Sequence, residues 1–115
     1  MEITELTIGQ ATIITVRGRV HIPAARKLKK MLLHLIETQK CHLILNCKGI
    51  ETLSNEGVKT LVASLAAAKK WGGDLVLTSL SAHAQEVLRV SGSLDLFKVF
   101  PTDSAAVNFF SSPFL

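Results

Sequence analysis

The chain has 115 residues, of which 48% are hydrophobic and 19% charged, a composition that can bury a core and excludes disorder for the bulk of it. Thirteen Lys and Arg against nine Asp and Glu leave a formal net charge of +4, basic but too weakly so to name nucleic acid as the partner. No apolar run approaches the roughly 18 residues of a membrane helix, and the opening MEITELTIGQ has two acids and no basic residue, unlike a secretory signal. Residues 1–115 are therefore expected to form one domain, soluble and cytoplasmic.

Ile3, Leu6 and Ile8 alternate imperfectly with polar residues, and Gly9-Gln10 follows as a turn. The run ATIITV, residues 11–16, is rich in β-branched side chains and predicts a strand. The chain thus opens on a hairpin, with Gly18-Arg19 closing its second strand. Pro23 suits the first position of a helix, where its missing N–H costs nothing. Leu28, Met31, Leu32, Leu35 and Ile36 then recur at i, i+3, i+4, i+7 and i+8. That stripe predicts a helix over residues 23–38, with Lys27, Lys30, His34 and Glu37 toward water.

Residues 42–46, HLILN, form a short continuous apolar run, which predicts a strand buried on both faces. Residues 47–53 read as a loop. Val58, Leu61, Val62, Leu65 and Ala66 give a second helical stripe that begins near Ser54-Asn55 and ends around Trp71, before Gly72-Gly73. Residues 74–78, DLVLT, predict another buried strand. Ser81 caps a third helix, with Ala84, Val87 and Leu88 inward and Gly92 at its end. Residues 94–100 read either as a short strand or as an irregular packed segment. Thr102 caps a last helix carrying Ala106, Val107, Phe109 and Phe110, and the tail SSPFL is expected to fray.

The order β-β-α-β-α-β-α-(β)-α predicts an α/β fold: a mixed, mostly parallel sheet of four or five strands with about four helices packed on it. Leu32, Leu45, Val62, Leu65, Leu77 and Leu88 should share one core. Cys41 and Cys47 flank one strand, so six steps put them about 20 Å apart, beyond the roughly 7 Å that a disulfide spans. Both are expected to be buried small hydrophobes in a reducing compartment.

The residue inventory argues against catalysis. The acids form no obvious pair for general acid–base work, and no Gly-x-Ser-x-Gly elbow occurs. His21, His34, His42 and His83 fall on four different predicted elements, and there is no Cys-x-x-Cys, so no metal site is expected. Gly72-Gly73 follows a helix and precedes a strand, the wrong side for a phosphate loop. The expectation is a protein without enzymatic activity, metal or cofactor. Arg26, Lys27, Lys29 and Lys30 form a basic cluster, with Arg17 and Arg19 just before it. It reads as a solvated face or as a rim for an acidic protein partner. With no aromatic residue there to stack bases, it does not read as a nucleic-acid site.

The segment IETLSNEG, residues 50–57, lies between a buried strand and a helix start. Small polar residues there sit at the positive end of a helix dipole. Local physics alone explains them as capping, with Ser54 or Asn55 accepting an N–H of the first turn.

Four pieces of the chain together resemble the STAS domain family, the fold of bacterial anti-sigma factor antagonists, over about residues 3–110. Gly18-Arg19-Val20-His21 resembles the family's Gly-x-Leu-Asp after its second strand. Leu43-Ile44-Leu45-Asn46 resembles its buried strand ending in Asp. Residues 50–57 with Val58 and Leu61 resemble its Asp-Ser-Ser/Thr-Gly-Leu turn and helix. The stretch from Gly72-Gly73-Asp74-Leu75-Val76-Leu77 through Val87-Leu88 to Leu96-Phe97 resembles its C-terminal half. The departures are specific. The family's acids are His21 and Asn46 here, and its turn reads Ser54, Asn55, Glu56, Gly57. The family's phosphorylated serine therefore corresponds to Asn55, which has no hydroxyl.

The resemblance implies a protein-interaction module of a partner-switching pathway. In such families the antagonist binds an anti-sigma factor, itself a serine kinase, through this helix start. Phosphorylation of the serine then breaks the complex. The partner-binding residues it implies are His21, Ser54, Asn55, Glu56, Gly57 and Lys59. Two other roles are compatible with the residues: a STAS subunit docking on a transporter ATPase or a signalling scaffold, and a small-ligand-binding domain.

Overall fold

The computed structural model describes residues 1–111. The elements are β1 (Glu2–Ile8), β2 (Ala11–Val20), α1 (Ile22–Glu37), β3 (His42–Leu53), α2 (Asn55–Lys70), β4 (Asp74–Thr78), α3 (Ala82–Val90), a short 3-10 turn (Leu94–Leu96), β5 (Val99–Phe100) and α4 (Asp103–Ser111). The sheet runs β1-β2-β3-β4-β5. β1 is antiparallel to β2, and every later pair is parallel. This is the mixed α/β architecture expected from the alternation of short apolar strands and helices.

The apolar runs of β3 and β4 are continuous because both faces of the sheet are covered. Leu43, Leu45, Leu75 and Leu77 join a core with Leu32 of α1, Leu65 of α2 and Leu88 of α3. Ile44 and Val76 point the other way, onto Ala106 and Phe110 of α4. Among the described residues that second face has only the nine-residue α4 over it, and Leu6 and Ile8 of β1 stay 59% and 43% exposed.

Two boundaries differ from the sequence expectation. Residues 47–53 are not a loop; they extend β3 to twelve residues. Gly18-Arg19 does not close β2 either, and the two extensions pair with each other through Arg17↔Gly49, Gly18↔Ile50, Arg19↔Thr52 and Val20↔Leu53. Register shifts between Thr15 and Arg17 and between Gly18 and Arg19 interrupt the ladder. They break the period of two, so the inward side chains are Cys47, Ile50 and Leu53, every third residue. A strand with that spacing carries no strand signature in its sequence.

The α2 stripe is also turned. Leu61 and Leu65 are buried as expected, but Val62 is half-buried and Ala66 exposed, while Thr60, Ser64 and Ala68 lie inward. The cause is the neighbouring helix: the Thr60 hydroxyl donates to the Ala25 carbonyl of α1 at 3.3 Å, and only small side chains fit so close an approach. Cys47 is buried, whereas Cys41 is half-buried with its Sγ 3.7 Å from the Trp71 carbonyl oxygen. Ser81 and Thr102 cap α3 and α4 as predicted, accepting the Ala84 and Ala105 N–H groups. Of the tail expected to fray, Ser111 belongs to α4 and residues 112–115 lie outside the described residues.

Candidate functional site at the start of helix α2

The end of β3 and the start of α2 are fixed by backbone before any functional side chain is considered. The Ser54 N–H donates to the Val20 carbonyl of β2 at 3.0 Å. Ser54 is the N-cap residue, and its Oγ accepts the Gly57 N–H at 3.1 Å. This resolves the choice between Ser54 and Asn55 as the cap. Gly57 is required by close approach: a Cβ there would stand 2.7 Å from Leu53 Cδ1 and 3.1 Å from Val20 Cγ1. The first turn of α2 is thus pressed onto the ends of β2 and β3.

That clamp leaves Asn55 as the first helical residue, exposed at the positive end of the dipole. Glu56, one residue on, is turned aside and held by Lys59, with Nζ 3.4 Å from Oε1. His21 is the N-cap residue of α1 and is exposed; its carbonyl accepts the Ala25 N–H at 2.7 Å, and its side chain makes no cap bond. Because His21 directly follows Val20, against which Gly57 packs, the starts of α1 and α2 share one end of the molecule. The six residues singled out from the sequence thus lie on two adjacent helix starts.

Asn46 does not join them. Its Nδ2 donates to both carboxylate oxygens of Asp103, at 3.1 and 3.0 Å, on the α4 side of the sheet. Thr78 Oγ1 also donates to Asp103, at 2.6 Å. The neighbouring Cys47 thiol is pushed up to about 12 by burial and then by the Asp103 charge, so it stays protonated and unreactive.

Asn55 and Ser91 are shared by two open clefts between α2 and α3. Val58, Lys59, Val62 and Ser91 line one beside it. Leu53, Ser54, Val87 and Val90 line the other. Val90 is 71% exposed, the most exposed of the large hydrophobic residues described. A polar helix start is therefore flanked by Val58, Val62, Val87 and Val90 set among Lys59, Glu86 and Ser91, an open mixed surface of the kind that docks protein rather than an enclosed pocket. The sequence reading missed α3's contribution. The available signal was Val90 itself, an apolar residue off the inward stripe of Ala84 and Leu88.

The basic residues Arg26, Lys27, Lys29 and Lys30 are all exposed along α1, and none is paired to a carboxylate among the described residues. His34 is exposed, and His42 stacks on Phe110 with ring centroids 5.1 Å apart. No group of three or more His, Cys, Asp or Glu among the described residues is arranged to hold a metal. No helix among them is long and apolar enough to cross a membrane.

Comparison with known proteins places these features in a family. The STAS domain family matches residues 2–106. BtrV of Bordetella bronchiseptica, provisionally named an anti-sigma factor antagonist, is 25% identical over 112 residues, covering 97% of each chain. Among solved structures, one from Thermotoga maritima, provisionally named likewise, superposes with a TM-score of 0.89 at 17% identity, covering 96% of this chain and 95% of that one. The anti-sigma factor antagonist SpoIIAA, from Bacillus, in its unphosphorylated form, gives 0.84 at 14% identity, covering 96% of each. The murine anion transporter Slc26a9 gives 0.74 at 20% identity, with 90% of this chain matching 18% of that one.

Proposed function

Because the chain belongs to the STAS domain family, we propose that it is a non-enzymatic interaction module of the anti-sigma factor antagonist kind, docking a protein partner on the start of α2 and unable to accept phosphate at position 55. The partner is an anti-sigma factor of the serine-kinase kind, and the pathway is cytoplasmic. The observation that carries this reading is Asn55: exposed, first in its helix, between two open clefts, one of which carries the exposed Val90, and without a hydroxyl.

The physics concerns charge in an interface. A phosphate brings about −1.5 to −2 charge. A helix N-terminus accommodates that charge in the free monomer. In a closed interface the same charge must be stripped of water, which costs far more than an exposed anion does. Phosphate at this position would therefore end binding without unfolding the protein. Asn55 holds the site neutral, so it mimics the unphosphorylated, binding-competent state. Ser54 keeps a hydroxyl, but that hydroxyl is engaged by the Gly57 N–H.

The exposed face of α1 extends the footprint. This helix holds four of the thirteen basic residues and one of the nine acids, so three of the four net positive charges sit on it. With α1 and α2 starting side by side, a partner seated on Asn55 meets this face, and an acidic surface complements it. The likeness to Slc26a9 keeps a second reading in view, in which the same module docks on a transport protein.

The test is phosphate transfer and binding with the purified partner after affinity capture. Wild type should bind the kinase and take up no phosphate from ATP, while Asn55→Ser should take it up. Phosphate on the wild type at Ser54, or a captured partner that is a transport ATPase, would overturn the reading.

A further inference from the structure

β4 pairs with β3 only as far as Asn46↔Thr78. Beyond that point, among the described residues, the β4 flank of β3 has no strand to receive its N–H groups. Buried backbone donors without a partner are costly. At Leu53 the acceptor is a side chain: the Leu53 N–H donates to Nε2 of His83, on α3, at 3.2 Å. Since a backbone N–H can only donate, Nε2 is the acceptor here, a role that requires the imidazole to carry its proton on Nδ1.

Leu53 and Ser54 are consecutive, and their N–H groups are held from opposite sides, by His83 and by the Val20 carbonyl. These two bonds set the direction in which the chain enters α2, and so the position of the Ser54 cap and of Asn55. We propose that His83 is a proton-sensitive latch on the β3–α2 junction. Neutral, it anchors Leu53; protonated, it offers a second N–H where an acceptor is needed, and the start of α2 loosens. The consequence for docking rests on the reading of the α2 start as the partner surface; the latch itself does not.

Most of the charged groups on the surrounding elements are paired with one another, and Lys48 and Asp95 have no ion-pair partner among the described residues. Glu51 of β3 lies 3.9 Å from Arg19, Glu56 of α2 pairs with Lys59, and Glu86 of α3 pairs with Arg89. Cys47 of β3 stays protonated. Lys48 of β3, Asp95 of the 3-10 turn and Lys98 before β5 complete the set, and Lys98 is bound to Asp74 at 2.7 Å. None of these replaces the imidazole as the acceptor for Leu53.

The experiment is amide hydrogen exchange by NMR on the free full-length protein at about pH 5.5 and about pH 8, corrected for intrinsic exchange, with the Leu45 amide as core reference. Protection at Leu53 and Ser54 should fall roughly three- to tenfold at the acid end, the range of one hydrogen bond, while Leu45 is unchanged. His83→Gln, whose side-chain carbonyl accepts at either pH, should keep the protection and abolish its pH dependence. His83→Ala should lower protection at both. Wild-type protection that does not change with pH, a His83→Gln protein that retains the wild-type pH dependence, or a His83→Ala protein as protected as wild type at pH 8 would each overturn the latch.

Discussion

Asn46 gives its amide nitrogen to both carboxylate oxygens of Asp103, at 3.1 and 3.0 Å, and so ties the middle of β3 to the first residue of α4. Its Oδ1 accepts the Lys48 N–H at 3.0 Å. An amide satisfies both sides of this arrangement, and a carboxylate cannot. Asn46 is thus a fastener for α4.

Asn46→Asp should therefore destabilise the fold. It removes a donor from a half-buried carboxylate and sets a like charge against it, costing roughly 2–3 kcal/mol at neutral pH. Two facing carboxylates raise the pKa of one of the pair. The penalty should shrink as pH falls through the carboxylate range and that group takes up a proton. Denaturant titrations of both proteins at pH 7 and pH 4 check this.

Gly57→Ala tests the clamp beneath the site. The added methyl favours helix by up to about 1 kcal/mol, but it meets Leu53 Cδ1 at 2.7 Å and Val20 Cγ1 at 3.1 Å. Overpacking of that kind costs roughly 1–3 kcal/mol. The balance should be a loss of about 1 kcal/mol, read as a lower denaturation midpoint with an unchanged slope.

Cys47 gives the protein an alkaline limit. Its folded-state value of about 12 lies above the ordinary value of 9.0, so the folded state keeps a proton that the unfolded chain gives up. The stability this contributes is complete below about pH 9 and is lost as pH rises toward 12. The loss should approach about 1.4 kcal/mol per pH unit. Cys47→Ala carries a cavity cost at every pH but lacks this slope. The difference between the two denaturation curves from pH 8 to pH 11, in reducing buffer, isolates it.

Much of the fold was legible because both faces of the sheet and one face of each helix are apolar. The runs LIL and LVL in β3 and β4, and the stripe Leu28, Leu32, Leu35, Ile36 in α1, carry their periods openly. Ser81 and Thr102 marked two helix starts, and the Ser54-Asn55 pair a third whose cap is Ser54, because capping is a local interaction. Residues 47–53 were not legible as strand, since bulges in the neighbouring strand set their inward spacing at three. The inward turn of α2 depends on α1, and no window within α2 contains that information. The site was half legible. The positions of Ser54, Asn55, Glu56 and Gly57 follow from the turn and helix pattern, but the cleft walls on α3 and the Leu53–His83 bond join residues about 30 positions apart.

The basic face makes a kinetic prediction. Replacing Arg26, Lys27 and Lys30 together by Gln should slow association with the partner by on the order of tenfold at low salt. The difference should fade as salt screens exposed charges. An association rate that keeps its magnitude and salt dependence in the triple variant would make α1 a solvated face only. Stopped-flow mixing across a salt series reads both quantities.

The most direct test of the central claim is the affinity of Asn55→Asp for the partner, measured beside Glu56→Ala. A single carboxylate at the first helical residue introduces, at reduced strength, the charge that a phosphate would bring. It should leave the monomer's stability intact at a helix N-terminus. It should weaken binding at least tenfold, about 1.4 kcal/mol. Glu56 is turned aside and paired with Lys59, so Glu56→Ala should bind as wild type does. Unchanged affinity in Asn55→Asp, or a large gain from Glu56→Ala, would contradict the account, because the wild-type site would then not be the neutral, binding-competent surface described.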